Sequence, residues 1–290
     1  GSDDGYLYAL DSATGNFTWK TFVENRVWSA PSYSQGRIYV ASYSFRIYAL
    51  DAETGKIVWH HQAEWYIRSS VTVGNGIVYA ASVDARVYAV DASSGERLWS
   101  FLTKSGINAN TPVLAGEVLY ATSTDGFLYA LDAHSGKLLW EYNAGAQIYS
   151  SPAISGDSIY LQSADDTVHA LSSSTSVGRK VTVTPDNTWS LFRGNLERTG
   201  YSSSKAPNTN STIWITDLNG AIRSSPAVVY GIVFAGLLDG RFLALEADTG
   251  RIVWQFKTGD QIYSSPVVAD DKVFVGSWDT NVYALDAKKG

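Results

Sequence analysis

The chain is 290 residues long, with 45% hydrophobic, 13% aromatic and 17% charged residues, a balance that excludes a disordered or coiled-coil chain. A formal charge of −6 disfavours nucleic acid and anionic membrane surfaces as partners, because both call for a basic face. Without cysteine the chain holds neither a disulfide framework nor a thiolate metal site, and no stretch reaches the roughly 20 apolar residues that span a bilayer.

Read from its start, Gly1-Ser2 with no methionine anywhere points to a processed, excised or engineered product. Tyr8-Ala9-Leu10-Asp11 is then the first copy of a repeating segment. It returns at Tyr48 and Tyr88 after steps of 40 residues, at Tyr129 after 41, and in altered form at His169 after 40. Two more copies, at Leu243 and Tyr283, are again 40 apart. Short β-branched and aromatic runs separated by Gly, Asp and Ser fall between the copies. They predict four strands per unit: A over Ile148–Ile154, B over Ser158–Gln162, C of the type Phe127–Leu131 and D of the type Lys137–Trp140. Four strands per forty residues is one blade of a propeller.

The C-to-D turn opens with a turn-forming Asp and closes with Gly, as in Asp51-Ala52-Glu53-Thr54-Gly55. Trp19, Trp59, Trp99, Trp140 and Trp254 each follow such a Gly by four residues, and Trp214 occupies an expected outer strand, Ile213-Trp214-Ile215. An indole at the same point of every blade can wedge against the neighbouring blade and bury a large apolar area. These six tryptophans are therefore assigned a structural docking role.

The pattern Ala-x-Asp-x-x-Thr-Gly-x-x-x-Trp, complete from Ala9 to Trp19 and from Ala49 to Trp59, and nearly so from Ala89 to Trp99 and from Ala244 to Trp254, resembles the quinoprotein (PQQ-enzyme) repeat family. The resemblance implies an all-β propeller of four-stranded antiparallel blades and an extracytoplasmic location. It leaves activity open, since the fold serves quinoprotein dehydrogenases and non-enzymatic relatives alike, such as the propeller lipoprotein of the outer-membrane β-barrel assembly machine. Residues 172–212, rich in Ser, Thr and Asn, read as a linker inside a single domain of residues 1–290. Within it, Trp189–Asn195 and Arg198–Ser202 resemble the segment that opens proteins of this family. An opening segment in mid-chain implies a permuted ring, or a piece cut from a tandem array. Six A-strand markers favour six blades, with a seven-bladed parent as the alternative. Phe17-Thr18-Trp19 is expected to close the blade begun at Gln261, giving a monomer, or a strand-exchanged dimer if closure fails.

The D–A and B–C loops of a propeller share one face. Three residues before each A-strand marker stand Trp28, Arg68, Ala109, Tyr149, Arg223 and Tyr263, and the B–C loops add Tyr43 and Trp278. Trp28, Arg68, Tyr149, Arg223, Tyr263 and Trp278 are the candidate partner face, because interfaces are enriched in aromatic residues and Arg. Asp125-Gly126 and Asp239-Gly240 read as hairpin turns. None of the four histidines has metal-ligand spacing, and no nucleophile elbow or phosphate loop is present. The expectation is a non-enzymatic scaffold that binds a protein or glycan, with no metal and no cofactor. The alternatives are a PQQ- and calcium-dependent dehydrogenase, or a degenerate relative of one, and a permuted or engineered ring made to study propeller assembly.

Overall fold

In a computed structural model of the chain, the residues described are 1–108, 110–173, 195, 200–202, 204, 207 and 209–290. They form strands and turns without a helix. The first sheet is a hairpin of β1 (Tyr6–Leu10) and β2 (Phe17–Phe22). The second runs in chain order through β3 (Ser32–Ser34), β4 (Arg37–Ser42), β5 (Arg46–Asp51) and β6 (Ile57–Gln62). The third repeats this with β7 (Thr72–Gly74), β8 (Ile77–Ala81), β9 (Arg86–Asp91) and β10 (Arg97–Leu102). The fourth has β11 (Val113–Ala115), β12 (Val118–Thr122), β13 (Phe127–Asp132) and β14 (Leu138–Asn143).

The fifth sheet contains β15 (Ala153–Ser155), β16 (Ser158–Gln162) and β17 (Thr167–Ser172), and is completed by β19 (Ser211–Asp217) from beyond the long connection. On the way, β18 (Tyr201–Ser202) adds a short parallel strand to the inner edge of β11. The sixth comprises β20 (Ala227–Val229), β21 (Ile232–Gly236), β22 (Arg241–Glu246) and β23 (Ile252–Lys257), and the seventh β24 (Val267–Ala269), β25 (Lys272–Gly276) and β26 (Val282–Asp286). Antiparallel four-stranded sheets in repeated series make this the expected propeller architecture.

In the sheets of at least four strands the C strands lie inside the sheet and their middle residues are buried: Tyr48 to Leu50, Tyr88 to Val90 and Tyr129 to Leu131. Opposite the C-strand Ala of every sheet but the last lies an indole, as in Ala49↔Trp59, Ala130↔Trp140 and Ala170↔Trp214, with a bulge one residue later. The small Ala leaves the indole room to lean toward the next sheet. There its Nε1 donates to a turn carbonyl: Trp19 to Ala52 at 3.1 Å, Trp59 to Ala92 at 3.0 Å, Trp99 to Ala133 at 3.0 Å, Trp214 to Ala247 at 2.8 Å and Trp254 to Ala287 at 3.2 Å.

A second set of contacts ties the inner strands together. The hydroxyls of Ser29, Ser69, Ser224 and Ser264 each donate to a carbonyl on the second strand of their own sheet and accept the N–H of the same residue. The following hydroxyl links sheets: Ser70 accepts from Ala30, Ser151 from Thr111, Ser225 from Ser151 and Ser265 from Ser225, at 2.8–3.1 Å. These clips occupy the residues just before the A strands. For this reason the A strand is shorter than expected, Ala153–Ser155 in place of Ile148–Ile154.

Closure by exchange of the ends is not what the chain does. Phe17–Trp19, expected to complete the last sheet, lies in β2 and pairs with Tyr6–Leu10, and among the described residues β26 has β25 as its neighbour on one side only. The six-blade ring rested on that exchange. Seven sheets are present among the described residues, five with at least four strands and the terminal two with two and three. Leu10 is 60% exposed, whereas its counterpart Leu50 is fully buried. Of the expected linker and its opening segment, residues 174–194 and 196–199 lie outside the described residues, whereas Tyr201–Ser202 is β18 and Ser211 and Thr212 belong to β19.

Candidate partner-docking face

Each D–A loop is pinned by a buried aliphatic residue, Val27, Ile67, Ile107, Ile148, Ile222 or Ile262. The next residue is thereby directed away from the core. This places Trp28, Arg68, Tyr149, Arg223 and Tyr263 on one face. The backbone N–H of Tyr43 donates to Arg26 O at 3.0 Å, and that of Trp278 to Gln261 O at 2.9 Å, so the B–C turns lie against the same loops.

Three groupings result. Arg68 lies with its guanidinium carbon 5.8 Å from the centre of the Trp28 ring and 5.4 Å from that of Tyr43, and donates to Asn108 Oδ1 at 2.9 Å. Trp28 and Tyr43 meet edge-on at 4.8 Å, and the Trp28 N–H donates to Asp3 at 2.5 Å. Arg223 lies 4.3 Å over Tyr149, whose hydroxyl is bonded to Gln147. Tyr263 and Trp278 stack at 4.8 Å. Arg–aromatic stacking occurs twice between equivalent loop positions of successive sheets, holding planar cations in fixed orientations. Trp28 is 53% and Trp278 64% exposed, so the first and third groupings each present ring surface to solvent. The three groupings are separate from one another, and Ala109 lies outside the described residues.

The sequence reading missed four members of this face. Phe45, Trp65 and Tyr66 extend the first grouping: Tyr43–Tyr66 at 5.2 Å, Tyr66–Phe45 at 4.8 Å and Phe45–Trp65 stacked at 5.5 Å with 10° between planes. Phe45 sits at the third B–C turn position, where φ is positive in every sheet and the other residues are Gly5, Ala85, Gly126, Asp166, Gly240 and Thr280. A bulky side chain at φ 66° costs on the order of 1 kcal/mol relative to Gly. Aligning these turns as a column would have shown the anomaly. Asn108 was missed because the fourth loop has one residue more between its buried Ile and its clip, so counting back from Pro112 lands on Ala109.

The B–C aspartates serve the turns. Asp84 accepts Arg86 N–H at 2.8 Å and the Tyr88 hydroxyl at 2.7 Å, and Asp125 does the same for Phe127 and Tyr129. Burial first, and then these bonds, raise Tyr88 and Tyr129 above the ordinary phenol range. Among the described residues no three His, Cys, Asp or Glu side chains converge on a possible metal position, and the chain has no vicinal cysteines.

His169 replaces the usual C-strand Tyr and is buried. Its Nδ1 shares a hydrogen bond with the Tyr142 hydroxyl at 3.0 Å, and Nε2 lies 2.9 Å from Ser163 Oγ and 2.7 Å from Thr167 Oγ1. Burial lowers its pKa to about 4, which keeps the ring neutral. At the opposite end of the sheets, Tyr33, Gln35, Asn75 and Tyr201 line a cleft of about 450 Å³.

Two solved structures share this arrangement. BamB from Moraxella catarrhalis superposes with a TM-score of 0.74 at 19% identity, covering 98% of this chain and 80% of that one. The computationally designed Ika8 protein superposes at 0.75 and 16% identity, covering 99% and 79%. Both show likeness of fold. No curated protein matches the chain. The family model described as outer membrane protein assembly factor BamB matches residues 3–109, 83–208 and 198–290. With nearly its whole length matched in three successive passes, the chain is a member of the BamB family of propellers.

Proposed function

We propose that the chain is a non-enzymatic scaffold that docks a protein partner on its loop-rich face, outside the cytoplasm, as the family description of outer membrane protein assembly implies. The observation that supports this most directly is the repeated pairing of a ring with a guanidinium, Trp28 with Arg68 and Tyr149 with Arg223, among exposed aromatics. Such residues act as anchors in interfaces. The reading invokes no cofactor, and the chain acts as a monomer.

The test is affinity capture from envelope extracts of the source organism, followed by reconstitution with the purified captured protein. Arg68→Ala, Tyr263→Ala and Trp278→Ala should each weaken binding of that protein, whereas Val253→Ala on an outer strand should not. Indifference to all three would refute the proposed face. Heat on mixing with PQQ and calcium, followed by alcohol oxidation, would refute the non-enzymatic reading.

A further inference from the structure

We propose that Arg68 and Tyr43 form a receptor for an acidic side chain, Asp or Glu, of the docking partner; the inference rests on the reading of the loop-rich face as a protein-docking surface. Three observations carry it. The first is a charge without a counter-ion. The arginines that follow B–C turns are paired, Arg46 with Glu24, Arg86 with Glu64 at 3.6 Å and Arg241 with Asp239 at 2.6 Å. Arg68 is half-buried, yet among the described residues no carboxylate lies within 4.0 Å of its guanidinium. The acids of the neighbouring loops are engaged. Asp3 accepts the Trp28 N–H, Glu24 and Glu64 hold their arginines, and Asp84 accepts the Tyr88 hydroxyl at 2.7 Å. A cation left this way is complemented by an anion brought to it from outside.

The second is which donors are free. Arg68 Nη1 donates to Asn108 Oδ1 at 2.9 Å, which leaves the edge formed by Nε and Nη2. Nε is shut off from water with no partner, whereas Nη2 makes no hydrogen bond and is open to solvent. On that edge a carboxylate seats two oxygens side by side. The Tyr43 hydroxyl, buried and also without a partner, is a third donor in the grouping. Unmet donors are costly, and an acceptor that reaches them recovers the loss. Trp28, which lies against both side chains and is 53% exposed, is the ring that turns aside to admit it.

The third is a missing acid. The residue ahead of the positive-φ turn position is Asp4, Asp84, Asp125, Asp165, Asp239 or Asp279 in the other sheets, and Ser44 in the turn that carries Tyr43. Ser44 still meets the Tyr48 hydroxyl, at 3.1 Å, so the bond to the C-strand Tyr is kept while the negative charge is gone. Among the seven turns only this one has no carboxylate to repel an incoming acid. A glycan's neutral acceptors would meet the donors and leave the charge unbalanced. Asp or Glu does both.

The experiment titrates an acetylated, amidated decapeptide of alternating Gly and Glu into the purified protein, following tryptophan fluorescence and heat. The same peptide with Gln for Glu, and inorganic phosphate, are the comparison ligands. Saturable binding of the Glu peptide alone is expected, weakened at least about tenfold by Arg68→Gln and several-fold by Tyr43→Phe. Arg97→Gln, which removes an exposed charge from the outer strand β10, should leave it unchanged. Tyr43→Phe should melt at the same temperature as the parent or higher. A lower melting temperature would give the hydroxyl a structural role and overturn the proposal. Equal binding of the Gln peptide, preference for phosphate, an equal loss from Arg97→Gln, or no binding of the Glu peptide would overturn it as well. If the Glu peptide is ignored while Trp278→Ala still weakens docking of the captured partner, the acid receptor fails and the docking face stands.

Discussion

Gly55 and Trp19 lie face to face across the junction of the first two sheets, so close that a Cβ on Gly55 would sit 2.5 Å from Trp19 Cε3. Gly95 with Trp59, Gly136 with Trp99 and Gly250 with Trp214 repeat this at 2.5–2.6 Å. Gly15 has the same positive φ, 72°, with nothing within 4 Å. The repeat's glycine is thus required twice over at four turns and once at the first.

The difference is measurable. Gly95→Ala combines left-handed strain with collision against an indole, and should cost about 2–4 kcal/mol. Gly15→Ala carries the conformational cost alone, about 1 kcal/mol. Urea unfolding midpoints of the two variants, compared with the parent, check the ranking.

Replacing Trp59 separates packing from hydrogen bonding. Trp59→Phe keeps most of the ring but removes the donor to Ala92 O, costing about 1–2 kcal/mol. Trp59→Ala also empties the space between sheets, and should cost about 3–5 kcal/mol. Equal losses from both would mean that the bond, and not the volume, holds the junction.

Acid should act first through His169. Its proton affinity is lower in the folded chain, near pKa 4, than in the unfolded chain, so the unfolded state takes up the extra proton as pH falls. Stability is complete above about pH 6.5, declines toward pH 4 by at most about 3 kcal/mol, and then levels off with respect to this group. His169→Tyr, which restores the residue of the neighbouring repeats, should flatten urea midpoints between pH 6.5 and 4.5. Asp91, held down to about 2 by the Ser93 hydroxyl and the Ser94 N–H, contributes in a lower window: its stabilisation is present above the ordinary Asp value and is lost as pH drops toward 2.

Arg68→Lys keeps the charge and loses the planar group that lies against Trp28 and Tyr43. Partner binding should weaken several-fold while the unfolding midpoint moves by less than about 0.5 kcal/mol equivalent. Surface plasmon resonance with the reconstituted partner, beside a urea curve, reads both.

The repeat was legible because its chemistry is local: Asp51 accepts from Thr54 N–H and hydroxyl at 2.8 and 2.7 Å, Gly55 turns the chain, and Trp59 follows at fixed distance. The pairing of the ends was not legible. Strands β1 and β26 share Tyr-Ala-Leu, so either edge fits Phe17–Phe22 equally well by sequence. A short hairpin loop closes at far lower entropic cost than a contact spanning nearly the whole chain, and β1 holds the strand. The candidate docking face was half legible. Trp28 and Trp278 stood out by type, whereas Phe45 is unusual only for the backbone conformation it occupies.

The indole-to-carbonyl bonds also say how the molecule should come apart when pulled by its two ends. Each one fastens a sheet to the next in line, so tension loads the junctions in series. Rupture of a single junction would free one sheet while leaving those behind it latched. An optical-trap trace would then rise and fall in teeth, each lengthening the tether by about 40 residues at roughly 3.4 Å apiece, or about 14 nm.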